Sequence, residues 1–129
     1  MFLSTLNQQQ QKTFLNLAHS VVVSDGDLTT TEDQMMLEMC REMDLASSAE
    51  AHYVDIDGAD KIFDTKRSRV IVLISLIRLG YADGAFEVEE KSFIKDLCRL
   101  FDVSDGEFSL LENWVRRLTA LEREAQHFM

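Results

Sequence analysis

Apolar residues recur at three- and four-residue spacing through most of this chain, and proline is absent. At 3.6 residues per turn such positions return to one side of a helix, so the pattern predicts an all-α fold with few breakers. A first helix is expected from about Asn7 to Ser24, with Phe14, Leu17, Ala18, Val21 and Val22 along one side. It stops at Asp25-Gly26, where glycine accepts the positive φ of a helix C-terminus. A second helix, roughly Thr30 to Asp44, opens with Thr29 three residues before Glu32, the capping-box spacing. Met35, Met36, Met39, Cys40 and Met43 form its apolar stripe, which at this spacing reads as core rather than as an adaptable docking face. Between Leu45 and Thr65, Ser47, Asp57 and Gly58 divide the chain into short helical pieces and turns. A longer helix from about Thr65 to Tyr81 carries Val70 to Ile77, apolar nearly all round, which places it at the centre. The next, Val88 to Phe101, turns Phe93, Ile94, Leu97, Cys98 and Phe101 inward. The last starts near Ser104, directs Phe108, Leu111, Trp114, Val115, Leu118 and Leu121 toward the rest, and frays near Met129.

Shifted by 58 residues, the chain matches itself: Ser24-Asp25-Gly26 through Glu32 returns as Ala82-Asp83-Gly84 through Glu90. The same shift lays Cys40-Arg41 on Cys98-Arg99 and Asp44 on Asp102, with apolar positions kept in phase between them. The expected architecture is a single helical domain over residues 1–129, a bundle of about six to seven helices. Two helix-loop-helix units, approximately 7–45 and 65–103, precede a C-terminal helix over about 104–127. A third partial echo, Ser104-Asp105-Gly106 to Glu112, reads as the first turn of that last helix, with Ser104 and Glu107 as its capping box.

Composition narrows the partners. With 129 residues, 46% of them hydrophobic, and a mean hydropathy of -0.12, the chain suffices for one core. A net charge of -10 opposes nucleic-acid binding, which draws on clustered Lys and Arg, and suits cations or a basic protein. The dense basic run Lys66-Arg67-Ser68-Arg69 is read as solvating a helix start. The longest apolar run falls far short of the roughly 20 residues that span a bilayer, and a charged-then-apolar leader pattern is lacking, so the expectation is a cytoplasmic protein. Cys40 and Cys98 sit at equivalent helical positions and read as buried, reduced thiols. His19, His52 and His127 share no ligand spacing, and no serine or cysteine stands in a nucleophile motif.

The paired motifs are the candidate site. Each resembles the second half of an EF-hand, but the first half is missing: Val21, Val23, Leu79 and Tyr81 occupy the positions that would need oxygen ligands. What remains is a shared site in which Asp25, Glu32, Asp83 and Glu90 converge. Four carboxylates together demand a cation, and hard oxygen donors favour Ca²⁺, Mg²⁺ or Mn²⁺. The simpler account is structural: Asp before Gly satisfies a turn, and Glu at the third helical position caps backbone donors. Thr29 completes that box in the first copy, whereas Glu87 replaces the hydroxyl in the second, so capping is expected to explain Glu90 less well than Glu32. The alternatives to a non-enzymatic module are a Mg²⁺- or Mn²⁺-dependent hydrolase using the same carboxylates and a metal-free helical adaptor.

These residues resemble the TerB-like, or tellurite-resistance TerB, family, whose hallmark is a duplicated Ala-Asp-Gly-x-x-x-x-x-Glu motif in a small helical domain. Ala82-Asp83-Gly84 through Glu90 matches fully; Ser24-Asp25-Gly26 through Glu32 matches with Ser for Ala; and Phe14-Leu15-Asn16-Leu17-Ala18 is similar to the family's first helix. The resemblance spans roughly residues 6 to 118. It implies about seven helices, divalent-metal binding by the acidic motif, and a scaffold role in tellurite and other stress responses beside other Ter-type proteins or a membrane-associated complex. Ala85 and Glu87 depart from the pattern, where an acidic residue and a capping Ser are common.

Overall fold

The structure, a computed structural model, describes residues 1–24, 29–45, 51–52, 54–82 and 86–129. After a 3-10 turn at Leu3–Thr5 come α1 (Gln8–Val23), α2 (Thr30–Glu42), the short α3 (Ala59–Ile62), α4 (Lys66–Gly80), α5 (Val88–Leu100) and α6 (Asp105–Gln126). The all-α expectation holds, and among the described residues there is no strand.

The duplication is visible at the level of caps. Asn7 and Thr65, 58 residues apart, begin α1 and α4. Asn7 Oδ1 accepts from Gln10 N at 2.8 Å, and Thr65 Oγ1 accepts from Ser68 N at 3.1 Å. Gln10 and Ser68 each return a bond to the N-cap amide, at 3.0 and 3.3 Å. The second helices end alike. Asp44 and Asp102 adopt left-handed φ values of 56° and 58°. The next amides, Leu45 and Val103, reach back to Cys40 O and Cys98 O at 2.8 Å, while Asp44 N and Asp102 N bond Arg41 O and Arg99 O at 3.1 and 3.2 Å. This paired bonding is the Schellman closure, which satisfies orphan carbonyls by turning one residue left-handed. Repetition of Asp at these positions thus has a backbone cause. A β-carbon is crowded there and a branched one more so. Asp102→Gly should therefore raise stability by about 0.5 kcal/mol and Asp102→Val lower it by about 1 kcal/mol, read as shifts of the urea midpoint at constant slope.

The core forms around α4, which packs on α1, α2, α5 and α6, as its all-round apolar run requires. Leu73, Leu76, Ile77 and Leu79 of α4 are fully buried, as are Phe14 and Val21 of α1 and Ile94 and Leu97 of α5. Each first helix also packs on the other unit's second helix, α1 on α5 and α4 on α2. The starts of α1 and α4 lie side by side: Gln10 Nε2 donates to Ile62 O at 3.0 Å, and Arg67 Nη2 donates to Thr5 Oγ1 at 3.4 Å. Met39 and Met43 are buried and Met35 and Met36 pack against the core, so the methionine stripe is interior.

Helix α6 departs from expectation at its end. Phe108 and Val115 are buried, but Leu121 is 61% exposed. Thirteen residues beyond Phe108, at about 100° per residue, Leu121 lies roughly 140° round the helix and faces away. The neighbouring Glu122, itself exposed, accepts from Arg78 Nη2 at 3.1 Å.

Candidate functional site

Of the four nominated carboxylates, Asp25 and Asp83 lie outside the described residues, together with Gly26 and Gly84. Glu32 and Glu90 are described, and both are buried, at 3% and 2% exposure. Glu32 Oε1 accepts from Thr29 N at 3.2 Å and from Thr29 Oγ1 at 3.0 Å, while Thr29 Oγ1 accepts from Glu32 N at 3.1 Å. The box foreseen for α2 is formed. Glu90 Oε1 likewise accepts from Glu87 N, at 3.3 Å. Glu90 thus caps its helix as well, but without the hydroxyl bond that Thr29 adds for Glu32, so capping explains Glu90 less fully than Glu32, as expected. The Glu half of the box needs only the N-cap's main-chain N–H, so exchanging Thr for Glu at that position leaves it intact. Both carboxylates sit where the positive end of a helix dipole favours negative charge. Each is tied to its own helix, seven residues along the sequence from the Asp of its motif.

The second motif is flanked by a cluster that local sequence does not announce. The rings of Tyr81 and Phe86 are 5.1 Å apart, and Lys91 Nζ is 3.1 Å from a Glu112 carboxylate oxygen. Burial, and next the Glu112 charge, push the Tyr81 phenol above its ordinary pKa. The Arg116 guanidinium stands 6.0 Å from the Tyr81 ring centre. These residues come from α5, α6 and the end of α4, so only tertiary packing unites them.

Two sequence expectations need correction nearby. Ser104 Oγ accepts from Glu107 N at 3.1 Å, and Asp105 opens α6 as foreseen. The Glu107 carboxylate, however, pairs with Lys66, whose hydrogen bond and charge hold it below the usual carboxylate pKa. A cation competes better for that carboxylate than a neutral amide does. Arg69, read as part of a solvated run, instead donates to Phe63 O at 2.7 Å, Asp60 O at 2.9 Å and Phe101 O at 3.2 Å. It lies 5.4 Å from the Phe101 ring centre. One guanidinium thereby closes the C-terminal ends of both α3 and α5.

Cys40 and Cys98 are buried and unbridged, as expected; burial raises both thiol pKa values, that of Cys98 to about 11. His52 and His127 are exposed and His19 half-buried. Among the described residues, no three His, Cys, Asp or Glu side chains gather to hold a metal, and no helix is long and apolar enough to cross a membrane. A cavity of about 630 Å³ opens between the first turns of α1 and the end of α2, walled by Leu15, Met43 and Leu45. It lies at the ends of α1 and α2 remote from Val23 and Thr30.

Comparison with known proteins adds one match: residues 56–113 fit the family model described as tellurite resistance protein TerB. That segment contains the second motif and the whole of the second unit, residues 65–103. No curated protein and no solved structure matches the chain.

Proposed function

We propose that this chain, a member of the TerB family through residues 56–113, is a non-enzymatic interaction module of a tellurite or general stress response. In this reading a hard divalent cation, Ca²⁺, Mg²⁺ or Mn²⁺, is drawn to Asp25, Glu32, Asp83 and Glu90. The family match supports the association with tellurite resistance. Supporting the cation is one observation, a nearly fully buried carboxylate seven residues after each motif's Asp, Glu32 in one unit and Glu90 in the other. A buried carboxylate is unfavourable without compensation; capping bonds and the helix dipole supply part of it here, and a neighbouring cation adds to it. Oxygen-only donors fit a hard ion, and a carboxylate that caps its helix through one oxygen keeps lone pairs for ligation. A protein partner, other Ter-type proteins or a membrane-associated complex among them, completes the proposal.

Because Glu90 also caps α5, the informative variant changes the turns alone: Asp25→Asn with Asp83→Asn. The wild-type melting temperature should rise from EDTA to Ca²⁺, Mg²⁺ or Mn²⁺, by about 2.7 kcal/mol of added stability at a hundredfold excess over Kd. The double variant should melt alike in all of them. Identical wild-type melting with and without each ion would remove the cation and leave the carboxylates as caps. Mn²⁺-dependent phosphoester turnover, lost in the variant, would replace the module with a hydrolase.

A further inference from the structure

Because the two units repeat, whatever the hairpin requires to fold is present in both, and a feature of one unit alone needs another cause. The outer face of α5 is such a feature. Val88, Lys91, Ser92, Lys95 and Arg99 fall within about 100° of arc round the helix, and together with Phe86 they line a cavity of about 440 Å³. Fifty-eight residues earlier the same positions on α2 hold Thr30, Asp33, Gln34, Leu37 and Arg41. Caps, Schellman ends and buried stripes agree between the two helices, yet three cations have replaced one cation and one anion. The helix dipole does not call for Lys91 or Lys95, since both lie outside the last turn, where a cation is favoured. On a chain of 13 basic and 23 acidic residues, the groove is lined, among the described residues, by three cations and no carboxylate, with Lys91 also reaching Glu112 at 3.1 Å and Arg99 reaching Asp96 beside it.

The row is also held in place. Lys91 and Lys95 stand 5.9 and 5.6 Å from the Phe108 ring centre, and Arg99 pairs with Asp96 at 2.5 Å. At one end of the groove Val88 is 78% exposed beside Phe86.

We propose that this groove docks an acidic polypeptide segment of another protein, whose carboxylates meet Lys91, Lys95 and Arg99 while an apolar side chain rests on Val88 and Phe86. This names a partner chemistry for the interaction module above and rests on that reading. Successive cations are four residues, about 6 Å, apart along α5. Alternate side chains of an extended segment repeat at about 6.6 Å, so three alternating carboxylates match the row. Attraction is local because charges beyond about 10 Å are screened at 0.1 M salt, which keeps the overall negative charge from dominating.

The test uses the full chain and a fluorescein-labelled synthetic peptide, Leu-Gly-Glu-Ser-Glu-Ser-Glu, with fluorescence anisotropy as readout. Saturable binding that weakens as salt rises is expected, and Lys95→Gln with Arg99→Gln should weaken it about tenfold. Arg117→Gln with Arg123→Gln, an equal change of charge on exposed α6 positions, should leave it unchanged, and all three proteins should melt alike. Absence of saturable binding, equal loss in the α6 variant, or equal binding of the Gln-for-Glu peptide would overturn the proposal. Tighter groove-dependent binding of single-stranded DNA or phosphatidylserine vesicles would also overturn it. A dimer in sedimentation, lost in the groove variant, would assign the groove to a second copy instead. A metal-dependent rise in melting without peptide binding would remove the groove alone and leave the module reading standing.

Discussion

Arg69→Ala should lower stability by about 3 kcal/mol and the melting temperature by about 10 °C, a large loss for a residue that is only half buried. Its guanidinium donates to three carbonyls, Phe63 O, Asp60 O and Phe101 O. Those oxygens belong to the final turns of α3 and α5, where intrahelical partners have run out. A charged donor at a helix C-terminus gains from the dipole as well as from each bond. Truncation strands all three at once and removes the contact with the Phe101 ring. Arg69→Lys should recover only about 1 kcal/mol, since a point ammonium cannot span the fork. Lys66→Ala, three residues earlier, breaks an exposed ion pair with Glu107 and should stay within about 0.5 kcal/mol of the wild type. Urea denaturation of the three variants provides the check; an Arg69→Ala loss under 1 kcal/mol would mean that water replaces the guanidinium freely.

The second large effect reverses a general rule. Glycine to alanine inside a helix ordinarily stabilises by about 1 kcal/mol, but Gly80→Ala should destabilise by about 1–2 kcal/mol. A β-carbon at Gly80 would stand 2.6 and 2.7 Å from two ring carbons of Phe86, closer than packed atoms tolerate. The ring cannot yield cheaply, because it also packs on Tyr81, so overpacking strain outweighs helix propensity. In a Phe86→Ala background the obstacle is gone, and Gly80→Ala should then stabilise by about 0.5–1 kcal/mol. A double-mutant cycle on these two positions measures that change of sign directly. A stabilising Gly80→Ala in the otherwise unchanged chain would show that Phe86 leaves its place without penalty.

Both effects depend on residues that looked ordinary along the chain. Gly80 is the last residue of α4, and what constrains it is a ring six residues later that folds back over it. Arg69 sits in a run of cations, and nothing in that run separates it from Arg67, which reaches the exposed Thr5 hydroxyl. By contrast, Thr29 with Glu32 and Ser104 with the amide of Glu107 were legible, because a cap joins atoms three residues apart and needs no knowledge of the rest. The Asp44 and Asp102 identity was visible as a repeat, but its cause appeared only with the left-handed φ. The candidate site divides the same way. Glu32 and Glu90 were found by spacing, while the buried capping role of Glu90 emerged from the backbone at Glu87; Tyr81, Lys91 and Glu112, drawn from three helices, had no shared signal in sequence.

What the amino-acid pattern alone determined was local and periodic: helix class, the positions of the caps, the duplicated register at 58 residues, and the all-round apolar helix that became the centre. Each follows from bonds and side-chain faces within a few turns, where 3.6-residue periodicity suffices. Only the tertiary structure decided which groups from distant segments meet, among them Arg69 with two helix ends, Phe86 with Gly80, and the cationic row of α5 beside Phe108. Such meetings depend on the angles at which helices pack, and those are set by the summed fit of many side chains rather than by any one stretch of the chain.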